Sequence, residues 1–492
     1  MAAHNEKKGT GRVYSASERR ILYLAMAGVS LCSGVSLSAF LAAASNKPSL
    51  SVLAPALLSS APLGLYMAND AVAGGRRTLL IWIACSIVIV SLALPLLGGA
   101  QPILKFGVIC GAFALGVAGL SDGSKVLNTP LGRIILLYWF WTLVSVFISA
   151  TPFYTLGSSF ALIAWILFAA AVATRCGAKE LHLALLAGTS VFLVASWIVY
   201  LFAPEIGTTT FISARRMVTR FTGLAGSPNG AGQMATLHLV VFASLYASGL
   251  YRSCGRCLIA MMAGVAVLAI GALVLSQSRG SALALVVTAL ALATQRTRSI
   301  PLMIGCLALA AFSMLALPGL VHWLTQSLAG FSRGGALSEI VTLTGRTHVW
   351  SFVVEKATES PMYGFGYGAG KDIITQGFRN VWGGGIGGSA HNAFLQTLLD
   401  LGIVGAAAFS AIFVSAAVSF LARPVFLRDA IVVMVLVIGI FESGVSNSIE
   451  ALTPVWLLAL FVGIRPASSA VGDDRDLAGS RAVDDRDRSG AR

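Results

Sequence analysis

Apolar stretches of about 17 to 25 residues recur along the chain, and they limit its fold more than any other feature. Each stretch is long enough to cross the hydrocarbon core of a bilayer as a helix. Backbone groups inside that core find no water, so they must form hydrogen bonds within their own helix. Only 11% of the residues are charged, whereas soluble domains carry about 25%. The sequence therefore predicts an all-α, polytopic integral membrane protein.

Fourteen stretches qualify as candidate spans, and we expect about 12–14 transmembrane helices. The candidate spans lie at residues 21–44, 50–68, 79–98, 102–120, 133–149, 158–174, 181–202, 229–249, 258–276, 281–295, 300–319, 392–421, 429–445 and 450–464. The prediction also includes one large extracytoplasmic loop with short helices.

Positive charge is concentrated in every second connection between the predicted spans. Arg76 with Arg77 and Arg252 with Arg256 are examples, whereas the intervening links SNKPS and GGAQ carry one charge or none. Short basic connections face the cytoplasm, which places both termini there. The formal charge of +14 is explained by this orientation. Nucleic-acid binding is not expected, because the sequence has no basic stripe on a soluble domain and no recognition module.

The chain divides into five predicted regions, which differ in hydropathy and in the length of their connections. They are a cytoplasmic N-terminal segment (1–20), an N-terminal transmembrane bundle (21–202), a region with two long outer connections (203–421), C-terminal transmembrane helices (422–465) and a disordered cytoplasmic tail (466–492). The tail mixes both charge signs and has few apolar residues, as disordered segments do. The outer loop 320–391 is unusually long, and loops of that length usually carry function.

Three arginines are predicted on the outer side, where the orientation rule does not require them. They are Arg220, Arg279 and Arg346. Arginine at membrane depth is costly and usually pairs with another group or lines a polar cavity. Carboxylates are scarce on this side, so the arginines suggest an anionic ligand. A diphosphate would suit them, because guanidinium groups bind phosphate in a bidentate manner. The alternative is contact with lipid head groups.

His391 begins the twelfth predicted span, on the same side as these arginines. Burial and nearby guanidinium groups are both expected to lower the pKa of an imidazole, which would leave the ring neutral near pH 7. A neutral imidazole within reach of an acceptor hydroxyl can take its proton. The alternative is a helix-terminal residue bonded to a neighbouring loop. His348, two residues beyond Arg346, is a second candidate for the base.

Several short motifs follow one another along the predicted outer face. They are Arg220, Gly223, Pro228 and Asn229; S-R-G at 278–280; G-R-x-x-x-W at 345–350; P-x-x-G-x-G at 361–366; His391 and Asn392; and Leu395, Gly402 and Gly405. This order resembles the O-antigen ligase/polymerase superfamily, and it covers residues 220–405. The first half of the chain agrees with the family only in hydropathy.

The resemblance implies that residues 203–421 form a catalytic region of this type. Members of the superfamily transfer a glycan from undecaprenyl diphosphate to an acceptor outside the cytoplasmic membrane, without metal or nucleotide. It further implies that Arg279 and Arg346 hold the donor diphosphate, that Arg220 adds a contact, and that His391 activates the acceptor hydroxyl. His348, Asn392 and Trp350 are secondary candidates. The expected reaction is a single displacement that inverts the anomeric centre.

Three activities within the superfamily use the same motifs. They are polymerisation of an O-antigen or exopolysaccharide repeat, ligation of O-antigen to lipid A–core, and oligosaccharide transfer to protein. The large number of predicted spans favours the polymerase, with a glycan as acceptor. An unrelated alternative is a transporter or lipid flippase. Such a protein would place charged residues deep in several spans, whereas here the spans are nearly free of charge.

Overall fold

A computed structural model describes residues 76–93, 100–213, 216–297, 346–382 and 388–462 of the chain. The predicted N-terminal segment, the first two spans, the span at 300–319, residues 320–345 of the outer loop and the tail 466–492 lie outside these residues.

The described residues form fifteen α-helices and two β-strands. The helices are α1 (Arg77–Ser91), α2 (Ala100–Ala118), α3 (Leu120–Leu127), α4 (Pro130–Val144), α5 (Pro152–Arg175), α6 (Ala178–Phe202), α7 (Pro204–Gly207), α8 (Pro228–Ala247), α9 (Arg256–Ser276), α10 (Arg279–Thr297), α11 (Arg346–Ala357), α12 (Gly370–Trp382), α13 (Ala393–Ala422), α14 (Phe426–Phe441) and α15 (Leu452–Val462). Four 3-10 turns occur at Ser145–Ile148, Gly223–Ala225, Leu250–Ser253 and Gly444–Ser446.

Eleven of these helices coincide with predicted spans, and the helical, polytopic fold is confirmed. By length and composition, five helices in the described part are able to cross a bilayer, or six if α2 and α3 form one bent span. Helices α4, α8 and α13 each begin after a side-chain cap. At α8, Ser227 accepts a hydrogen bond of 3.0 Å from the Gly230 amide, and Pro228 takes the first helical position.

A sharp bend of 87° separates α2 from α3. A β-carbon added to Gly119, at the bend, would lie 2.4 Å from the β-carbon of Ala171 in α5. The absence of a side chain at Gly119 therefore allows the bend to pack closely on α5. The sequence analysis predicted the end of this span but not helix α3.

The connection 203–228 contains a short antiparallel β-ribbon that the prediction of an all-α protein did not include. Strand β1 (Thr208–Ser213) pairs with β2 (Arg216–Phe221), with Thr209 opposite Arg220. The hydroxyls of Thr210 and Thr219 lie 3.1 Å apart across the ribbon. Threonine, valine and phenylalanine favour such a pleated pair, and both strands contain these residue types.

Helices α11 and α12 are the short helices predicted for the outer loop. They have a small apolar core of their own, in which buried Val349 and Val353 of α11 and Ile374 of α12 contact Ala390 and Leu399. This core fixes the loop to the start of α13. The last residues before His391 are thereby held against a packed surface.

The first glycine-rich turn of the loop is bound tightly to α13. The amides of Gly368 and Gly370 donate to the two carboxylate oxygens of Asp400 at 3.0 and 2.9 Å. Gly402 breaks α13 with a φ of +65°, and an added β-carbon there would lie 2.4 Å from the Met362 carbonyl. These contacts fix the first glycine-rich turn to α13.

The ion pairs between connections agree with the predicted orientation, because each pair joins two connections that are predicted to lie on the same side of the membrane. Arg76 pairs with Glu180 at 3.4 Å, and Arg175 pairs with Asp122 at 3.2 Å, all in connections predicted to be cytoplasmic. The connections predicted to be outside meet at the opposite ends of the helices. The orientation of the bundle in the membrane stays a prediction.

Candidate functional site

A single carboxylate, Glu442, is the centre of a polar network at the end of the bundle that is predicted to face outward. It follows the last residue of α14, and only 17% of its side chain is exposed. Oε1 accepts from Arg346 Nη2 at 2.7 Å and from Asn229 Nδ2 at 2.7 Å, and Oε2 lies 3.1 Å from His391 Nδ1. We call Glu442, Arg346, His391, Asn229 and Arg220 the Glu442 network.

Arg346 enters the network from the first position of α11. Its Nη2 forms the ion pair with Glu442, and its Nη1 donates to the Phe441 carbonyl. Both acceptors belong to the end of α14, so one guanidinium spans the last carbonyl of the helix and the carboxylate beside it. A positive charge at a helix C-terminus is also favoured by the helix dipole.

The backbone of His391 is held in an uncommon conformation. Its φ of +46° lies in the left-handed region, which residues other than glycine seldom adopt. The preceding residue, Ala390, accepts from the Trp350 indole at 2.9 Å and donates to Gln396 Oε1 at 3.0 Å. Such a conformation persists only where neighbouring contacts enforce it, and it is frequent at functional sites.

Asn392 fixes the other side of His391. Its Oδ1 accepts from the amides of Phe394 and Leu395 and so caps α13, while its Nδ2 donates to the Ile440 carbonyl at 3.1 Å. The cap joins the start of α13 to the end of α14. Trp350 and Asn392 therefore hold the imidazole against Glu442 through backbone contacts.

Arg220 is buried, and its donors meet the turn between α9 and α10. Nε donates to the Ser276 carbonyl at 2.8 Å and Nη2 to the Gln277 carbonyl at 3.3 Å. Nη2 also lies 3.4 Å from the side-chain oxygen of Asn229, which links Arg220 to Glu442. Arg220 thus supports the turn that leads into Arg279.

Arg279 is exposed at the first position of α10. The next residue, Gly280, faces Phe441, and an added β-carbon would lie 3.2 Å from that side chain. Phe441 is also the residue whose carbonyl accepts from Arg346. Arg279 therefore begins its helix beside the Glu442 network.

The structure brings three of the predicted site residues, Arg220, Arg346 and His391, into one hydrogen-bonded network. His348 lies in the same helix as Arg346, and its side chain is exposed. From the sequence, carboxylates were expected to be scarce on this side, and Glu442 was given no role. The expectation that the arginines lack acidic partners was wrong for Arg346. The signal that could have revealed Glu442 is an acidic residue near the end of the predicted span 429–445, directly after the apolar run that ends at Phe441.

The electrostatics of the network favour ionised Glu442. Burial alone would raise the pKa of Glu442, but the hydrogen bond from His391 and the charge of Arg346 together lower that pKa below its ordinary value. Arg220 and Arg346 against one carboxylate leave one positive charge in the network. An anion is therefore the ligand that this charge favours.

The contact between His391 and Glu442 also determines what the imidazole can do. When Nδ1 donates its proton to a carboxylate, Nε2 keeps a lone pair and can accept a proton. A carboxylate in this position orients the ring and stabilises the imidazolium that forms after proton transfer. Within the described residues, no three His, Cys, Asp or Glu side chains are arranged to hold a metal ion.

Comparison with known proteins matches residues 264–410 to a family model described as O-antigen ligase. The exopolysaccharide production protein ExoQ of Rhizobium meliloti is 33% identical over 90 residues, which are 17% of this chain and 20% of that protein. The alignment thus spans about a fifth of the length of this relative. Arg279, Arg346 and His391 lie inside the matched family region, whereas Arg220 and Glu442 lie outside it.

Proposed function

We propose, from the membership of this chain in the O-antigen ligase/polymerase superfamily, that it transfers a glycan from undecaprenyl diphosphate to an acceptor glycan. The reaction takes place at the outer face of the bacterial cytoplasmic membrane. The observation that carries the proposal is the shared carboxylate of Glu442, which contacts a candidate base and a candidate anion-binding guanidinium at once.

In the proposed reaction, the acceptor hydroxyl oxygen attacks the anomeric carbon of the donor sugar. The bond from that carbon to the diphosphate breaks, and its electron pair leaves with the diphosphate. The hydroxyl proton passes to Nε2 of His391, while Glu442 stabilises the resulting imidazolium. One displacement of this kind inverts the anomeric centre. Glycosidases differ, because they use a pair of carboxyl groups that flank the scissile bond.

The arginines act on the leaving group. Arg279 is exposed and begins a helix, so its guanidinium and nearby amides suit a diphosphate. Arg346 adds positive charge from the start of α11. The two guanidinium groups stabilise the negative charge that develops on the diphosphate in the transition state. Because Arg220 donates to the carbonyls of the preceding turn, we assign it the positioning of Arg279. A direct contact of Arg220 with the diphosphate stays a prediction.

Polymerisation is the favoured activity, and ligation is the second candidate. The name of the aligned relative refers to exopolysaccharide production, which supports a polymerase. The description of the matching family model supports a ligase, for which the acceptor would be lipid A–core. The glycan on the carrier in a deletion strain distinguishes them. Single repeats accumulate when a polymerase is lost, and long chains accumulate when a ligase is lost.

The proposal is tested by replacing the two histidines separately. His391→Ala should lower transfer from the lipid-linked donor by about 10²–10⁴-fold, since a general base contributes that much. His348→Ala is the matched control and should leave transfer near the wild-type rate. Protein abundance in the membrane is measured for both variants. Retained transfer in His391→Ala, with loss in His348→Ala, would contradict the assigned base.

A further inference from the structure

A cavity of about 300 Å³ adjoins the Glu442 network. Glu442 and Asn229 form part of its lining, so the cavity shares a wall with the groups that hold His391. Its other polar side chains include Gln233 of α8 and Ser389, the residue two positions before His391. The volume is at the lower limit of small-molecule sites, which occupy about 300–1,000 Å³.

Two lysines from distant parts of the chain also line this cavity. Lys105 comes from α2 and Lys371 from α12. The Lys371 ammonium lies 3.4 Å from a carboxylate oxygen of Glu450, which lines the cavity as well. Lys105 is within electrostatic reach of both groups, yet among the described residues it has no carboxylate within 4.0 Å. Lys371 pairs with Glu450, and Glu442, the other carboxylate of the lining, pairs with Arg346, so among the described residues the charge of Lys105 has no ion-pair partner.

The position of Lys105 makes this charge unusual. It lies about one turn into a helix that coincides with a predicted span, where an ionisable residue is costly and commonly marks a substrate contact. Burial alone would lower the pKa of Lys371, but Glu450 outweighs burial and raises that pKa above its ordinary value. Lys371 is therefore a cation at neutral pH.

We propose that Lys105 and Lys371 bind an anionic group of the acceptor glycan, either a carboxylate on a sugar or a phosphate. The inference rests on the proposed function, because the acceptor hydroxyl must reach His391 and the cavity shares Glu442 with that residue. The donor diphosphate belongs to Arg279 and Arg346 in this scheme. The amide of Gln233 and the hydroxyl of Ser389 in the lining suit sugar hydroxyls.

The test measures binding of three monosaccharides to the full chain in lipid nanodiscs by ligand-observed NMR. Glucuronic acid supplies a carboxylate, glucose 6-phosphate supplies a phosphate, and glucose is the neutral reference. We expect at least one of the acidic sugars to bind about tenfold tighter than glucose, as a hydrogen bond to a charged group allows. The acidic sugar that binds more tightly shows whether the anionic group of the acceptor is a carboxylate or a phosphate.

Lys105→Gln should abolish this preference, and Lys371→Arg should keep it because the charge remains. Lys356→Gln is the matched control, since Lys356 is on the same predicted side and pairs at the surface with Glu359. If glucose binds wild type as tightly as both acids, the inference is overturned. It is also overturned if the preference survives Lys105→Gln but is lost in Arg279→Gln, because the anion then occupies the arginine site.

Failure of this subsite is distinguishable from failure of the proposed function. If Lys105→Gln keeps the preference while transfer still depends on His391, only the subsite is wrong. If transfer does not depend on His391, the assigned base is wrong. If the wild-type chain transfers no glycan from the lipid-linked donor, the proposed function is wrong whatever the sugars do. Thermal unfolding of each variant in nanodiscs separates lost binding from lost folding.

Discussion

Glu442→Gln should separate the chemical step from donor binding. The substitution keeps the size of the side chain but replaces the oxygen that faces His391 Nδ1 at 3.1 Å with an NH₂ group, while the remaining oxygen still accepts from Arg346. The amide donates to Nδ1, so the imidazole proton moves to Nε2 and the ring can no longer accept a proton from the acceptor. Loss of a general base lowers a rate by about 10²–10⁴-fold, and we expect kcat to fall by that factor.

The assay is transfer from a purified lipid-linked glycan to acceptor in nanodiscs, with kcat and the donor KM determined separately. The donor KM should stay within about threefold of wild type, because Arg346 keeps an oxygen acceptor and gains no competing charge. Glu359→Gln is the control, since Glu359 forms a surface pair on the same predicted side. A wild-type kcat in Glu442→Gln would refute the reasoning. A rise in donor KM with unchanged kcat would refute it too, and would show that Glu442 acts only on binding.

Two further predictions concern stability. Gly402→Ala should lower the free energy of unfolding by about 2 kcal/mol or more, because alanine is strained at a left-handed φ of +65° and its β-carbon would collide with the Met362 carbonyl. Thermal unfolding measures the loss. Gly264→Ala is the control and should be neutral or stabilising, because a β-carbon added at Gly264 would have no neighbouring atom within 4 Å. Because the pKa of Glu442 is lowered in the folded protein, its ionisation stabilises the fold above the unfolded pKa of about 4.3, and this stabilisation is lost as pH falls through the lower folded pKa. The difference in melting temperature between wild type and Glu442→Gln should therefore shrink below about pH 4, and a difference that stays constant would contradict this.

Hydropathy predicted the helices well because a bilayer leaves the chain few alternatives. The eleven described helices that match predicted spans depend on apolar length, with caps such as Ser227 and Asn392 at their starts. Features that depend on close contacts between residues far apart in the sequence were not predictable. The 87° bend at Gly119 depends on Ala171, which is far away in sequence. The β-ribbon was missed because a connection between spans was read as a loop, although its first strand begins with three β-branched threonines.

The site was predictable in its cationic part and not in its acidic part. Arg279, Arg346 and His391 belong to recognisable motifs and occur on the predicted outer side. Glu442 lies 51 residues beyond His391 and 96 beyond Arg346, so no local spacing links them. Which carboxylate meets the imidazole is decided by how α13 packs on α14. Packing of that kind follows from tertiary contacts, which one sequence without relatives does not reveal.

The side chain of Asp400, in the first third of helix α13, is the hydrogen-bond acceptor for backbone amides of the first glycine-rich turn. By accepting from the amides of Gly368 and Gly370, its carboxylate attaches the first glycine-rich turn of the loop to α13, and Gln396 of the same helix donates a further hydrogen bond to it. The turn and the helix therefore unfold as one cooperative unit. If the proposed transfer takes place, we expect this first glycine-rich turn to keep its shape while substrates bind and leave.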